Sequence, residues 1–294
     1  MSEENNHMEL RIGNSNSFDN IILSGGSLKC ISMLGALQYL WEQKYLKDVK
    51  VFVGTSAGAI ISYLLSINYT PLEIITYICT HQICQKFPFF NLVNMINGEG
   101  ATTYSYIQEH LEKLTIEKIG SFMTMKKLQD NFGKRLICVT YNQTKCKTEY
   151  ITPETHPDLP CITALKMSSS LPLVFPRFLY NGCYYVDGGI ADNFPITLLD
   201  HDKEKSLGIL VSTESEEQSV DEEFKLLDYI YSLIIVPISL RAKEHIEIIH
   251  PNCRVLQLRA PKLKSFDFNH DTKFILDLFG CGYKSAKDFF NDGI

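Results

Sequence analysis

The chain has 294 residues, 45% of them hydrophobic and 21% charged, enough to bury one sizeable α/β core. Its formal net charge of −6 argues against nucleic acid as the main partner, because a phosphate backbone calls for a basic face. The nine cysteines are odd in number, follow no framework spacing and lie mostly in apolar runs, so they read as free thiols of a reducing compartment.

The opening MSEENNHMELRIG is acidic and polar, without the basic and apolar regions of a secretory signal. Residues 1–18 read as a flexible lead-in, and 19–294 as a single domain with a motif-bearing core (20–199) and closing elements (200–294). NIILS (20–24) is a short apolar run ending in two glycines, a buried strand entering a turn. Residues 28–46 carry apolar positions at mostly helical spacing, 49–53 (VKVFV) read as a second strand, and 57–67 as a second helix. Strand, helix, strand, helix is the pattern of a parallel sheet with right-handed crossovers. Residues 51–72 are uncharged and close to the roughly 20 needed to cross a bilayer. Gly54, Gly58 and scattered Ser, Asn and Thr interrupt them, so no transmembrane segment is expected.

A helix with Pro at its first turn is predicted over 71–82, followed by an apolar, irregular stretch at 87–97. Residues 135–141 and 147–152 read as a strand pair, and 178–180 with 183–186 as a hairpin around Asn181-Gly182. Residues 207–213 and 254–258 look like further strands, and 222–240 and 271–290 like closing helices.

Three stretches carry chemistry. Gly54-Thr-Ser56-Ala-Gly58 is a G-x-S-x-G between a strand and a helix, the setting of a nucleophile elbow. The same residues also suit a tight turn in which Ser56 only caps the helix. Ser24-Gly25-Gly26-Ser27-Leu28-Lys29 opens the first helix and is an anion-binding nest by type. It lacks the ending of a P-loop and the full dinucleotide fingerprint, so an oxyanion suits it better than a nucleotide phosphate, and a plain turn remains open. Asp187, followed by Gly188 and Gly189, ends a strand where it can project into a cleft or bond its own loop. A histidine third member would have to be His201, His245, His250 or His270, and none has a glycine-flanked apolar setting.

Taken in order, SGGSLK, LGAL, GTSAG, SSSLPLVFP and VDGG followed by Asn193 and Pro195 resemble the patatin-like phospholipases, over about residues 20 to 199. The resemblance implies a three-layer α/β/α sandwich with a mainly parallel central sheet, related to the α/β-hydrolases. It implies Ser56 as nucleophile, Asp187 as base, and an oxyanion hole from Gly25, Gly26 and Ser27 with Lys29 at the family's basic position. Residues 168–176 would shape the cleft. Ser27 and Cys30 depart from the family's glycines in this loop. The implied activity is lipid acyl hydrolysis, on phospholipid or another long-chain ester, with no metal or cofactor, and the resemblance admits a protein activator. A non-catalytic lipid-binding or interaction protein on the same fold, and a Ser-His-Asp esterase, are the competing readings.

Reversible contact with a membrane surface is expected from Phe87, Phe89, Phe90 and Leu92, which would either dip into lipid or plug the core. The expected location is cytoplasmic and peripherally membrane-associated. Cys79, His81 and Cys84 lack a fourth partner for zinc. The acidic run 214–223 reads as a solvated loop leading to a helix, and the basic residues Arg254, Arg259, Lys262 and Lys264 as a solvated edge, with contact to an anionic membrane as the alternative.

Overall fold

The computed structural model describes residues 17–88, 90–199, 204–213, 226–247, 250–261 and 269–291. The lead-in up to residue 16, Phe89, His201, the acidic run and Lys262 and Lys264 lie outside the described residues.

β1 (Asn20–Leu23) passes through a single 3-10 turn (Ser27–Cys30) into α1 (Ile31–Glu42). β2 (Val51–Thr55), α2 (Ala57–Ser66) and α3 (Pro71–Thr80) follow, the last started by a capping box between Thr70 and Glu73. The stretch that read as irregular contains a short helix, α4 (Leu92–Ile96), whose start is capped by the Asn91 side chain. α5 (Ser105–Ile119) and α6 (Met125–Phe132) each end on a left-handed glycine, Gly120 and Gly133. Then come β3 (Arg135–Asn142), β4 (Lys147–Ile151), α7 (Cys161–Ser169), β5 (Phe178–Tyr180), β6 (Cys183–Asp187) and the single turn α8 (Gly189–Asp192). β7 (Ser206–Thr213), α9 (Leu226–Glu247), β8 (Cys253–Ala260) and α10 (Thr272–Asn291) complete the chain.

The strands form one sheet in the order β5-β6-β3-β2-β1-β7-β8, with β4 also on β3. β3, β2, β1, β7 and β8 run parallel, and β4, β5 and β6 supply the antiparallel pairs. The period-two alternation of strands divides the core. Ile21, Leu23, Phe52, Leu136 and Cys138 face a large cluster covered by α1, α2, α3, α5, α7 and α10. Ile22, Val53 and Ile137 face the opposite layer with Phe194 and, from α9, Ala242. This is the expected three-layer sandwich.

β3 aligns two other strands end to end. Cys138 and Val139 pair with β2 on one edge and β4 on the other, while Thr140 to Asn142 pair with β4 and β6. Since a strand has only two edges, β6 continues the line of β2. The two run in opposite senses and their C-terminal ends meet, Thr55 opposite Val139 and Asp187 opposite Thr140.

α1 and α10 cross at two glycines. A Cβ on Gly35 would stand 1.8 Å from the Phe279 carbonyl, and one on Gly282 would stand 1.8 Å from that of Ser32. No single helix among the described residues is long and apolar enough to cross a membrane. α2 and α3 pass that test together but are bent by 119°, and most of α2 is buried in the core.

Candidate active site

The meeting of β2 and β6 sets the site. Immediately after β2, Ser56 takes up φ 56° and ψ −125°, a left-handed conformation that costs a non-glycine residue energy. The sharp turn brings α2 back against the sheet so closely that a Cβ on Gly54 or Gly58 would lie 2.5 Å from backbone atoms. That is why both flanking positions are glycine. Ser56 stands at the N-cap of α2 yet makes no side-chain cap bond. Its Oγ instead donates to Asp187 Oδ2 at 2.5 Å, which decides against the simple cap. Its own N–H donates to Ser168 Oγ at 3.0 Å.

Asp187 is 1% exposed. Burial pushes its carboxyl up to about 6, against the opposing pull of the bonds from Ser56 and from the Gly189 N–H, which donates to Oδ1 at 2.7 Å. The Asp187 N–H donates to the Ser170 carbonyl and the Gly188 N–H to that of Ser168. The serine run at the end of α7 therefore braces both halves of the pair. Its motif block marked it as cleft-shaping, but only the fold shows that Ser168 holds the Ser56 amide. A hydroxyl bonded to a carboxylate that ionises near 6 can lose its proton to that carboxylate at neutral pH.

The glycine turn after β1 lies against Ser56, since a Cβ on Gly25 would stand 3.2 Å from Ser56 Cβ. Of the amides expected to bind an oxyanion, that of Gly25 is already engaged, donating to the Asn193 carbonyl at 3.1 Å. The Gly25 peptide is thus held by Asn193, whose Nδ2 also donates to the Gly25 carbonyl. Among the described residues the N–H groups of Gly26 and Ser27 meet no acceptor of the chain. Ser27, at φ 52°, borders the same cavity as Ser56. Lys29 is half-buried and burial lowers its ammonium from the ordinary value. Cys30, where the family motif has glycine, is buried with its thiol pushed up to about 12, so it is a neutral spacer that donates weakly to the Ser24 carbonyl.

From Ser56 opens a cavity of about 240 Å³ whose walls are mostly aliphatic, among them Leu34, Ile60, Leu64, Ile74 and Leu111. Leu171 and Phe175 line it from the segment after α7. Such a space suits a hydrocarbon chain.

Three of the late histidines lie among the described residues. His245 Nδ1 donates to the Phe194 carbonyl at 2.9 Å and lies 3.8 Å from Asp192 Oδ1. His250 accepts from the Asn252 N–H, and His270 stacks on Phe274. None of the three bonds Asp187.

Phe87 and Phe90 pack inward, edge to face with each other, against Tyr104, Val174 and Phe175. Of the four residues expected at a membrane, Leu92 is exposed, and it is joined on α4 by Val93 and Ile96, 66% and 79% exposed. All nine cysteines are free. Among the described residues no three His, Cys, Asp or Glu side chains come together to hold a metal ion. Arg254 lies over the rings of Phe289 and Phe290.

The sequence of residues 21–200 matches the model of the patatin-like phospholipases, and the chain belongs to that family. It is 34% identical over 187 residues to "Probable lipid hydrolase 463L" of Invertebrate iridescent virus 6, a match covering 62% of this chain and 63% of that one. An uncharacterized protein of Acanthamoeba polyphaga mimivirus is 28% identical over 281 residues, covering 91% and 92%. Among solved structures, VipD of Legionella pneumophila superposes with a TM-score of 0.57 at 17% identity, over 94% of this chain and 67% of that one, a likeness of fold. Family and relatives together support lipid acyl hydrolysis.

Proposed function

We propose that the chain is a serine lipid acyl-hydrolase in which Ser56 attacks a long-chain ester and Asp187 is its only side-chain catalytic partner. The carrying observation is the 2.5 Å bond between Ser56 Oγ and Asp187 Oδ2 at the mouth of an aliphatic cavity. Asp187 takes the hydroxyl proton as Oγ bonds to the carbonyl carbon. The tetrahedral oxyanion is met by the Gly26 and Ser27 amides and the N-terminal end of α2, with the half-buried Lys29 adding positive potential to the loop. The alcohol leaves with the proton from Asp187, and water, activated by the same carboxylate, releases the fatty acid. No step calls for a metal or cofactor. An alkyl fluorophosphonate is expected to label Ser56 and no other serine, with peptide mapping as the check. An adduct on Ser168, Ser169 or Ser170 would overturn the assignment.

Lipid substrates sit in aggregates, so the protein must meet an interface. We assign that contact to Leu92, Val93 and Ile96. Hydrogen bonds from the Asn91 N–H to Ala101 and from the Ala101 N–H to Leu173 tie α4 to the segment whose Leu171 and Phe175 line the cavity. The nine unpaired cysteines fit a reducing, cytoplasmic setting for a peripheral protein of this kind. Replacing all three aliphatic residues by Ser is expected to lower partitioning to phosphatidylcholine vesicles at least about tenfold, since burying each contributes roughly 1.5–3 kcal/mol. Turnover of a soluble short-chain ester should hold. A fall in both activities together with the Tm would place these residues in the core instead.

A further inference from the structure

The aliphatic cavity has a second neighbour. On the outer side of α3 and α5 lies a groove of about 470 Å³ lined by Tyr69, Thr70, Leu72, Glu73, Thr76 and residues further along α3 and α5. Tyr77 and Leu114 line both spaces, so the wall between them is one side chain thick at these two residues.

The wall is held in place. The Tyr77 ring stacks on His81 with centroids 4.0 Å apart, and its hydroxyl bonds His110 Nδ1 at 3.0 Å. His110 is itself packed edge to face against Tyr106 at 4.8 Å. Tyr77 and Leu114 are both buried, 9% and 5% exposed. A phenol ring fixed on its face by one histidine and at its tip by another does not swing aside as a lone aliphatic side chain would.

We propose that Tyr77, together with Leu114, ends the acyl cavity and sets the longest straight hydrocarbon chain that the protein accepts. This rests on reading the cavity as the acyl site. A chain that reaches the ring stops there. With the ring removed, the same chain runs on into the groove between α3 and α5. Tyr77 is thus a specificity-determining residue far along the chain from the reacting carbonyl.

Binding tests this without depending on turnover. In the Ser56→Ala protein, straight-chain methyl esters from octanoate to docosanoate are titrated against a bound fluorescent alkyl probe. Affinity should climb about fourfold per added methylene, as burial of one methylene does, until the chain meets the wall, and then level off. The Ser56→Ala, Tyr77→Ala double variant should keep climbing past that break. Tyr77→Phe keeps the ring and loses only the bond to His110, so its break should stay where it was. Should Tyr77→Ala fail to fold, Leu114→Ala opens the other half of the wall and should move the break likewise. An unchanged break in a folded Ala variant, or no chain-length dependence at all, overturns the proposal. Loss of hydrolysis by the unaltered chain with the binding break intact would instead count against the catalytic reading alone.

Discussion

Asp187→Asn is expected to cut acyl hydrolysis by about 10²–10⁴-fold, the usual loss on removing a general base, while raising the Tm at neutral pH. The first half follows from the bond to Ser56 Oγ, and the second from the burial that pushes the carboxyl from 3.8 up to about 6. An acid whose folded pKa lies above its unfolded value binds its proton more tightly when folded. Stability is therefore lost as pH rises from about 4 to 6, and the full cost, on the order of 3 kcal/mol, is present above that window. Asn carries no charge and escapes the cost, less whatever its amide loses by failing to replace the carboxylate's two bonds. Below about pH 4 the carboxyl is neutral in both states and the advantage should vanish. Activity runs the other way. With the ionised carboxylate as the proposed base, kcat/KM on a soluble ester should fall about tenfold per unit as pH drops below about 6. Paired melting curves and rate profiles across pH check both. An active Asn variant, or a rate that holds down to pH 4, would remove Asp187 from the role of base.

The second large effect lies far from the site. Gly35→Ala should destabilise the protein by about 3 kcal/mol or more, at or beyond the upper end of overpacking costs. Its new methyl would sit 1.8 Å from the Phe279 carbonyl, and backbone has no rotamer to retreat to. The two helices must then part, exposing the Ile275, Leu278, Ala286 and Phe290 face of α10. Gly282→Ala should behave alike. Gly280, on the same helix, has nothing within 4 Å of its missing Cβ, and Gly280→Ala should stabilise by roughly 0.5–1 kcal/mol through helix propensity. Urea melts of the three variants decide the matter. Equal stabilisation by all three would mean that helix propensity, and not the crossing, governs α10.

Much of this was legible in the sequence because the signals were local. The elbow glycines, the Asn181-Gly182 turn, where both residues have positive φ, and the alternating strands each carry their own pattern. α5, α6 and α7 were not seen. α5 buries only Leu111, Leu114 and Thr115, a stripe too narrow to stand out among its charged residues, and α7 merges into the serine run that the family motif claimed. At the site, residue types pointed to Ser56 and Asp187, but partners distant in sequence were invisible. That Asn193 occupies the Gly25 amide, and that Ser168 holds the amide of Ser56, follows from contacts 168 and 112 residues apart. The inward turn of Phe87 and Phe90 likewise depends on the Tyr104 and Phe175 rings they meet.

The end-to-end meeting of β2 and β6 along one edge of β3 makes the gap between Ser56 and Asp187 a quantised quantity. Thr55 and Asp187 answer to consecutive residues of β3, and each step along a strand is about 3.3 Å. A slip of one residue in either pairing would add more than the whole length of the Ser56–Asp187 bond and reverse which face the side chain points to. The pair has no intermediate setting. It is either made or broken, and a strand that contributes neither of the two side chains decides which.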